Sequence, residues 1–231
     1  MTAIPEQHAA HTAVTQAAKK TSCRCSASRF LDAEHWNQRY AAPGFLWTAG
    51  ASRLLMSEVA DLAPGRALDL AAGEGRNAVW LAEQGWTVEA VDFSDRALAK
   101  AQGLAAARQV AERVRCHPAD LRDYQPEARA FDLVLLFYLQ LPQAELVPIL
   151  RRAARAVAPG GTLLLIGHDA TNPKQGYGGP RHRALLYDAG QVVAALGDEL
   201  RIEQAGRVER EVKTAEGLRI ALDCRVRGLR P

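Results

Sequence analysis

Three acids and two glycines stand in or just after successive apolar runs of the sequence. Gly73 and Gly75 follow the run "RALDLAA", which itself contains Asp69. Asp92 lies near the end of the next run, "TVEAVDFS", and Asp120 closes a weaker third run, "VRCHPAD". Two closely spaced glycines allow a tight turn and a close approach of the backbone to a ligand. Because carboxylates can accept hydrogen bonds from the same ligand, the pattern predicts one shared binding site.

The positions of the acids indicate an adenosine-type cofactor. In a doubly wound sheet, ligands bind outside the carboxyl ends of the strands. Asp92 stands 17 residues after Gly75 (92 − 75), where a carboxylate can accept hydrogen bonds from both ribose hydroxyls. Asp120 can accept one from an exocyclic adenine amine. The glycines alone also fit the G-x-G-x-x-A form of dinucleotide sites, and either acid could instead cap a helix or close a turn.

Asp69 distinguishes between the cofactor classes. A carboxylate inside a buried strand needs a cationic or hydrogen-bonding partner. The ammonium group of a cofactor with an amino-acid end would supply that partner, whereas a pyrophosphate would be repelled. The chain also has no room for a separate catalytic domain. Both features disfavour a nicotinamide-dependent oxidoreductase, which is one alternative. A protein that binds the cofactor without catalysis is another.

Taken together with their surrounding motifs, these residues show that the sequence resembles the class I S-adenosylmethionine-dependent methyltransferases. The resemblance runs from about Asp32 to the C-terminus, over "DLAAGEG", "AVDFS", "HPADL", "FDLVLLFYLQLP" and "PGGTLLLIGHD". Within that superfamily the chain is most similar to the small bacterial branch related to tellurite-resistance and thiopurine methyltransferases, since "HWNQRY" matches its W-(D/N)-x-R-Y motif. Ala72 stands where many relatives have cysteine, and both side chains are small.

The resemblance implies S-adenosylmethionine as cofactor and S-adenosylhomocysteine as product. It carries over these cofactor-binding residues: Asp69, Gly73 and Gly75 for the methionine portion, Asp92 for the ribose, Phe93 for the adenine face, and Asp120 and Leu121 for the adenine edge. Trp36, Arg39 and Tyr40 are predicted to fold over the cofactor, with the Arg39 guanidinium pairing with its carboxylate. The alternative is an amphipathic helix whose aromatic side chains cover the sheet.

Methyl transfer from a sulfonium is an in-line displacement, so alignment in a dry pocket is the main requirement. A base is needed only where the accepting atom carries a proton. Tyr138 and Gln140 of "FYLQLP" are predicted to lie beside the methyl group, Tyr138 as a catalytic residue and Gln140 as a substrate ligand. The alternative for Tyr138 is a place in the core.

The stretch "GHDATNPKQGYGGPRHRALLY" is the predicted acceptor-binding segment. His168, with Asp169 beside it, is a candidate general base, because an imidazole can take up a proton at neutral pH. A structural hydrogen bond at the end of the strand is the alternative. Asp169, Tyr177 and Arg181 are predicted substrate-binding residues. The glycine-rich part is interpreted as a lid that excludes water.

The elements that must position these residues alternate between short β-like runs and longer helical stretches. This pattern predicts an α/β fold with a doubly wound, mostly parallel, Rossmann-like sheet of seven strands. Five strands are predicted at "RALDLAA", "TVEAVDFS", "VRCHPAD", "FDLVLLFYLQL" and "TLLLIGHD". The runs "LRIEQAGRVEREV" and "LRIALDCRVRG" predict a C-terminal antiparallel hairpin at a sheet edge. Pro148 must lie near the start of the helix that begins at "AELV", or kink it.

Length and composition bound the remaining possibilities. The 231 residues suit one domain, which we place at residues 29–231, after a flexible extension over residues 1–28. Interspersed charges summing to +3 predict no binding to nucleic acid, and no apolar run is long enough for a membrane span. Cys23, Cys25, Cys116 and Cys224 match neither a metal site nor a disulfide framework. We therefore predict a cytoplasmic monomer or homodimer with a small-molecule acceptor and no metal. The methylated atom (oxygen, nitrogen, sulfur or a metalloid) stays open.

Overall fold

A computed structural model describes residues 32–231, so the predicted extension over residues 1–28, with Cys23 and Cys25, lies outside the described residues. The strands are β1 Arg66–Leu70, β2 Thr87–Asp92, β3 Val114–Pro118, β4 Phe131–Phe137, β5 Val157–His168, β6 Arg201–Thr214 and β7 Gly217–Leu229. They form one sheet in the order β3-β2-β1-β4-β5-β7-β6. The first five run parallel, whereas β7 is antiparallel to both β5 and β6. The predicted fold class is confirmed.

Helices cover both faces of this sheet. They are α1 Ala33–Tyr40, α2 Arg53–Glu58, α3 Arg76–Glu83, α4 Asp95–Ala107, α5 Gln143–Ala156, α6 Asn172–Gln175 and α7 Ala189–Leu196. Leu68 and Leu70 of β1 belong to a core cluster with α5 and α7, while Ala67 belongs to a second cluster with α3 and α4. This division follows from the alternation of side chains along a strand. Within residues 32–231 no helix is long and apolar enough to cross a bilayer.

The chain around the fifth strand departs from the predicted strand boundary. Pro148 is the sixth residue of α5 and lies inside that helix. The Pro-Gly-Gly sequence does not form a free turn after the helix but lies within β5. The pairing of β4 with β5 jumps from Phe131↔Val157 to Leu133↔Thr162, so the extra residues form a bulge. Gly160, at φ 76°, supplies the left-handed conformation that this bulge requires.

The C-terminal hairpin forms where it was predicted, but of its two strands only β6 lies at an edge of the sheet. The strand β7 lies between β5 and β6 and is therefore paired along both of its edges. Ala221, Leu222, Asp223 and Cys224 are consecutive and all buried, so both faces of β7 are covered over this part of its length. The expected alternation of buried and solvent-facing residues fails there, and an acid is enclosed within the molecule.

Candidate active site

A cavity of about 930 Å³ lies at the carboxyl ends of β1, β2, β4 and β5. It opens where the strand order reverses between β1 and β4, the usual place for a ligand in such sheets. The predicted site residues that line it are Trp36, Arg39, Tyr40, Asp69, Gly73, Asp92, Phe93, Asp120, Leu121, Tyr138, Gln140, His168 and Tyr177. Gly75, Asp169 and Arg181 do not line it. The structure thus gathers most of the predicted residues around one space.

The two glycines of the loop after β1 have different surroundings. Gly73 has φ 56°, and a Cβ atom there would lie 3.1 Å from the Tyr40 hydroxyl oxygen. Gly75 has φ 76° and is the N-cap of α3; a Cβ atom there would lie 2.5 Å from the Cβ of Ala101. Gly73 therefore lets Tyr40 close over the loop, and Gly75 lets α3 pack against α4. Both conformations are ones that side chains other than hydrogen disfavour.

Asp69 is an enclosed acid with an unsatisfied oxygen. Its side chain is buried, and the Oδ2 atom has no hydrogen-bond partner within residues 32–231. Burial, reinforced by Asp92, raises the pKa of Asp69 to about 7, although Arg76 and the backbone N–H of Ala78 oppose this shift. Since buried polar atoms are normally paired, this oxygen is where the described structure fits a cation such as an ammonium group.

Asp92 supports the glycine loop and still faces the cavity. Its Oδ2 accepts from the backbone N–H of Gly73 at 2.9 Å, and its Oδ1 accepts from Ser94 N–H at 2.9 Å. Burial raises the pKa of Asp92, against the effect of these N–H donors. Ser94, not Asp92, caps α4, because its hydroxyl accepts from Ala97 N–H. Each carboxylate oxygen of Asp92 keeps a lone pair that a hydroxyl could use.

Asp120 closes a turn as well as lining the cavity. Its oxygens accept from the backbone N–H of Arg122 and from Arg122 Nη1, each at 2.9 Å. Leu121 is buried beside it, and Phe93 is half-buried after β2. The turn-closing alternative is thus part of the structure, and it holds Asp120 and Leu121 at the cavity wall.

An aromatic segment, residues 36–50, closes one side of the cavity. Trp36 and Tyr40 of α1 stack with ring centroids 5.5 Å apart. The Arg39 guanidinium carbon lies 4.4 Å from the Trp36 ring centroid and 5.5 Å from that of Trp47. Burial raises the pKa of Tyr40 above its ordinary value. The arginine is therefore held between two indole rings with its cation at the cavity wall.

Glu74 fastens this segment to the glycine loop, a role that the sequence did not indicate. Its carboxylate is buried and accepts from the backbone N–H of Leu46 at 2.9 Å. Lys100 of α4 donates to Glu74 at 2.9 Å and also to the carbonyl oxygens of Ala42 and Gly44. The only local signal for this role was an acid between two glycines. The partners of Glu74 lie 26 to 28 residues away in the sequence, so no local pattern connects them with it.

Asp223 is the second site residue that the sequence did not indicate. It is fully buried and accepts from the Tyr138 hydroxyl at 2.8 Å and from Arg210 Nε at 2.6 Å. His168 Nδ1 lies 3.5 Å from its Oδ1, and the His168 and Tyr138 rings are 5.0 Å apart. Burial alone would raise the pKa of Asp223, but the hydrogen bonds from Arg210 and Tyr138 and the nearby His168 lower it. The acid therefore stays ionised between two donors, with the imidazole beside it.

The remaining predicted substrate residues are divided between two places. Asp169, beside His168 in sequence, accepts from the backbone N–H and the hydroxyl of Thr171, so it shapes the turn before α6. Arg181 lies at a separate cavity of about 380 Å³. Tyr177 borders both cavities. A Cβ atom on Gly179 would lie 2.8 Å from His168 Nδ1, so the glycine-rich segment packs against the imidazole.

The side chains that line the cavity without having been predicted include the cations Arg53, Arg76, Arg122, Arg210 and Lys213. Arg76 is the first residue of α3, and burial lowers its pKa; Tyr138 and Asp69 partly offset this effect. Arg210 and Lys213 come from β6, which reaches over the ends of the parallel strands. No local pattern indicated the β6 residues, because their approach depends on the length and register of the hairpin.

The fold and the position of the cavity are those of the class I S-adenosylmethionine-dependent methyltransferases, the family that the sequence resembles. Residues 67–161 match the family described as "Methyltransferase domain", and this segment contains the glycine loop with Asp69, Asp92 and Asp120. The cofactor of this class is S-adenosylmethionine, and its product is S-adenosylhomocysteine, as predicted. No curated protein sequence matches the chain.

Solved structures share the fold over most of the chain. The N-methyltransferase NodS from Bradyrhizobium japonicum, in complex with S-adenosyl-L-homocysteine, has a TM-score of 0.64 at 17% identity, covering 86% of this chain and 98% of NodS. TehB from Haemophilus influenzae, a tellurite-resistance relative, has a TM-score of 0.63 at 12% identity, and the match covers 86% of this chain and 67% of TehB. A SAM-dependent methyltransferase from Methanosarcina mazei has a TM-score of 0.60 at 16% identity, and the match covers 78% of this chain and 98% of that protein. At these identities the likeness is one of fold alone.

Proposed function

We propose that the cavity binds S-adenosylmethionine and that its methyl group passes by in-line displacement to a small-molecule acceptor. The observation that carries this proposal is the enclosed Asp69 carboxylate with its unpartnered oxygen. An ammonium group would satisfy it. A pyrophosphate would instead be repelled by the ionised carboxylate, whereas an ammonium group favours that ionised form. This difference favours the amino-acid cofactor over a dinucleotide.

The other cofactor contacts follow from the same arrangement. Arg39 is the proposed partner of the cofactor carboxylate, since a guanidinium fork suits that group. Asp92 would hold the ribose hydroxyls with its free lone pairs. The adenine would lie among Phe93, Asp120 and Leu121. Gly73 contributes a backbone without a side chain, and Gly75 contributes through the packing of α3 on α4.

The acceptor end of the cavity carries a candidate base. The Nδ1 atom of His168 is buried, has no hydrogen-bond partner within residues 32–231 and lies 3.5 Å from Asp223 Oδ1. The nearby carboxylate favours the tautomer with the proton on Nδ1. Nε2 is then free to take a proton from an acceptor atom that carries one, while Tyr138 and Asp223 hold the ring in place. His168 is thus proposed as the general base and Asp223 as its positioning residue. Gln140 and Tyr177 line the same cavity and remain proposed acceptor ligands.

A cavity of about 930 Å³ falls within the size range of small-molecule sites, which supports a small acceptor. Cys116 and Cys224 are free thiols, which favours a reducing compartment. We therefore retain the cytoplasm as the proposed location. A monomer or homodimer without nucleic-acid partners remains the proposed state.

Calorimetry tests the cofactor assignment directly. We expect S-adenosylmethionine and S-adenosylhomocysteine to bind, and NAD not to bind. Asp69→Asn should lower the affinity for S-adenosylmethionine by about tenfold or more, because a charged hydrogen bond is lost. Asp198→Asn, at an exposed acid away from the cavity, is the matched control. Binding of NAD, or equal S-adenosylmethionine affinity of Asp69→Asn and wild type, would contradict the proposal. Release of S-adenosylhomocysteine with a panel of acceptors then separates an enzyme from a binding protein.

A further inference from the structure

The arginines that line the cavity differ in whether they form an ion pair with a carboxylate. Three are matched by a carboxylate: Arg53 with Glu211 at 4.0 Å, Arg122 with Asp120 at 2.9 Å and Arg210 with Asp223 at 2.6 Å. Two others, Arg39 and Arg76, make neither a hydrogen bond nor an ion pair within residues 32–231. Both are half-buried. A guanidinium held in a partly desolvated cavity without an acceptor is costly, so each is suited to an anionic ligand.

The cofactor supplies only one carboxylate for these two cations. Arg39 lies between Trp36 and Trp47, beside Tyr40 and the glycine loop, which is the methionine end of the proposed cofactor site. Arg76 lies between the two ends, since its charged or titratable neighbours are Tyr138 and Arg210 as well as Asp69 and Tyr40. Tyr138 contacts His168, and Arg210 binds Asp223. With Arg39 assigned to the cofactor carboxylate, Arg76 is the cation left for the acceptor.

Asp69 does not neutralise the positive charge of Arg76 in the proposed complex. It lies near enough to influence Arg76 electrostatically, but the two side chains form no ion pair within 4.0 Å. In the proposed complex the Asp69 charge is matched by the cofactor ammonium. The exposed Lys213 on β6 adds a further positive charge at the rim, which attracts anions from solution.

We propose, on the basis of the proposed function above, that the methyl acceptor is a small organic acid whose carboxylate is bound by Arg76. The guanidinium would hold that carboxylate through paired hydrogen bonds, with the methylated atom directed toward His168. Trp47 and Tyr177, which are 55% and 45% exposed at the rim, would cover an apolar or aromatic body. The substrate class is thus an apolar carboxylate rather than a neutral or cationic molecule.

Matched pairs of acids and amides test this assignment. The protein saturated with S-adenosylhomocysteine is titrated calorimetrically with benzoate and benzamide, and with acetate and acetamide. We expect at least one carboxylate to bind about tenfold or more tightly than its amide, and Arg76→Gln to abolish that preference. Arg151→Gln, at an exposed arginine of α5 that does not line the cavity, should keep the preference. Absence of a preference in both pairs, or its persistence in Arg76→Gln, would overturn the inference.

The same titrations separate this inference from the proposed function. Arg76→Gln should bind S-adenosylhomocysteine within about threefold of wild type. A loss beyond about tenfold would show that Arg76 holds the cofactor carboxylate, which overturns the inference but not methyl transfer. If wild-type protein fails to bind S-adenosylhomocysteine at all, the proposed function itself falls.

Discussion

Asp69 destabilises the cofactor-free protein and is the proposed partner of a cation on the cofactor. Its carboxyl is buried in β1 with an oxygen that no described residue satisfies, so the free protein stores an unfavourable interaction. A ligand cation paired with this oxygen would relieve it, and cofactor binding would then be coupled to stability. Residues that destabilise the free protein in this way are common where a site must be ready for a charged ligand.

The raised pKa of Asp69 gives a prediction for stability. The folded protein holds this proton up to about pH 7, whereas the ordinary value is 3.8. Between those values the folded state binds more protons than the unfolded state, so stability falls as the pH rises. Asp69→Asn removes that decline and should make the cofactor-free protein roughly 2 to 4 kcal/mol more stable than wild type at pH 8. At pH 5 the two should differ less.

Urea denaturation of both proteins at pH 5 and pH 8 measures this difference. Asp198→Asn should follow wild type at both values. Saturating S-adenosylmethionine should narrow or reverse the difference at pH 8, since only wild type gains the charged contact. A stability gap between wild type and Asp69→Asn that does not change with pH would contradict the raised pKa.

Residues at the ends of successive parallel strands were predictable, and residues whose partners depend on long-range contacts or on the hairpin register were not. Asp69, Gly73 and Asp92 follow from spacing, since each strand delivers its last residues to the same edge. Glu74 and Asp223 depend on partners far along the chain, which no local pattern indicates. The neighbour assigned to His168 shows the difference: the sequence offered Asp169, and the structure brings Asp223.

At the scale of elements, the pairing of β5 with β7 builds the candidate base. His168 and Asp223 are register partners in that antiparallel ladder, so a one-residue shift would turn Asp223 to the other face. The sequence predicted a hairpin and its strands but not which strand lies inside the sheet. That choice buries Asp223 and lets Arg210 of β6 reach it. The β-hairpin is therefore part of the site and not only a cover for the sheet edge.

Asp223→Asn tests this arrangement. An asparagine can donate to His168 Nδ1, which favours the tautomer with the proton on Nε2 and removes the free base. We expect ¹⁵N NMR of histidine to show the proton on Nδ1 in wild type and a shift toward Nε2 in the variant. With an acceptor found in the panel, the rate should fall about a hundredfold for Asp223→Asn and for His168→Ala, with S-adenosylmethionine affinity retained.

His182→Ala, at an exposed histidine outside the cavity, is the control for the histidine signals and the rate. If Asp169→Asn changed the tautomer of His168 and Asp223→Asn did not, the sequence-based pairing would be right and the positioning role of Asp223 would be wrong.

At the scale of the whole molecule, the first described helix is capped by a residue within the described range. The Asp32 side chain accepts from His35 N–H at 2.8 Å and caps α1, and α1 leads directly into the aromatic segment that Glu74 and Lys100 fasten. Every strand of the seven-stranded sheet lies between Arg66 and Leu229. This arrangement is consistent with the predicted domain over residues 29–231, which stays a prediction.

Removal of residues 1–28 tests that domain assignment. Because the cap of α1, the sheet and the described lining of the cavity come from residues 32–231, we expect one cooperative thermal transition with a midpoint within about 4 °C of the full chain, a change of about 1 kcal/mol or less. S-adenosylmethionine affinity should agree within about twofold. Differential scanning calorimetry and titration of both proteins provide the comparison. A weakened cofactor affinity with an unchanged midpoint would instead assign the first residues to the site, because the fold would be intact and only cofactor binding would have changed.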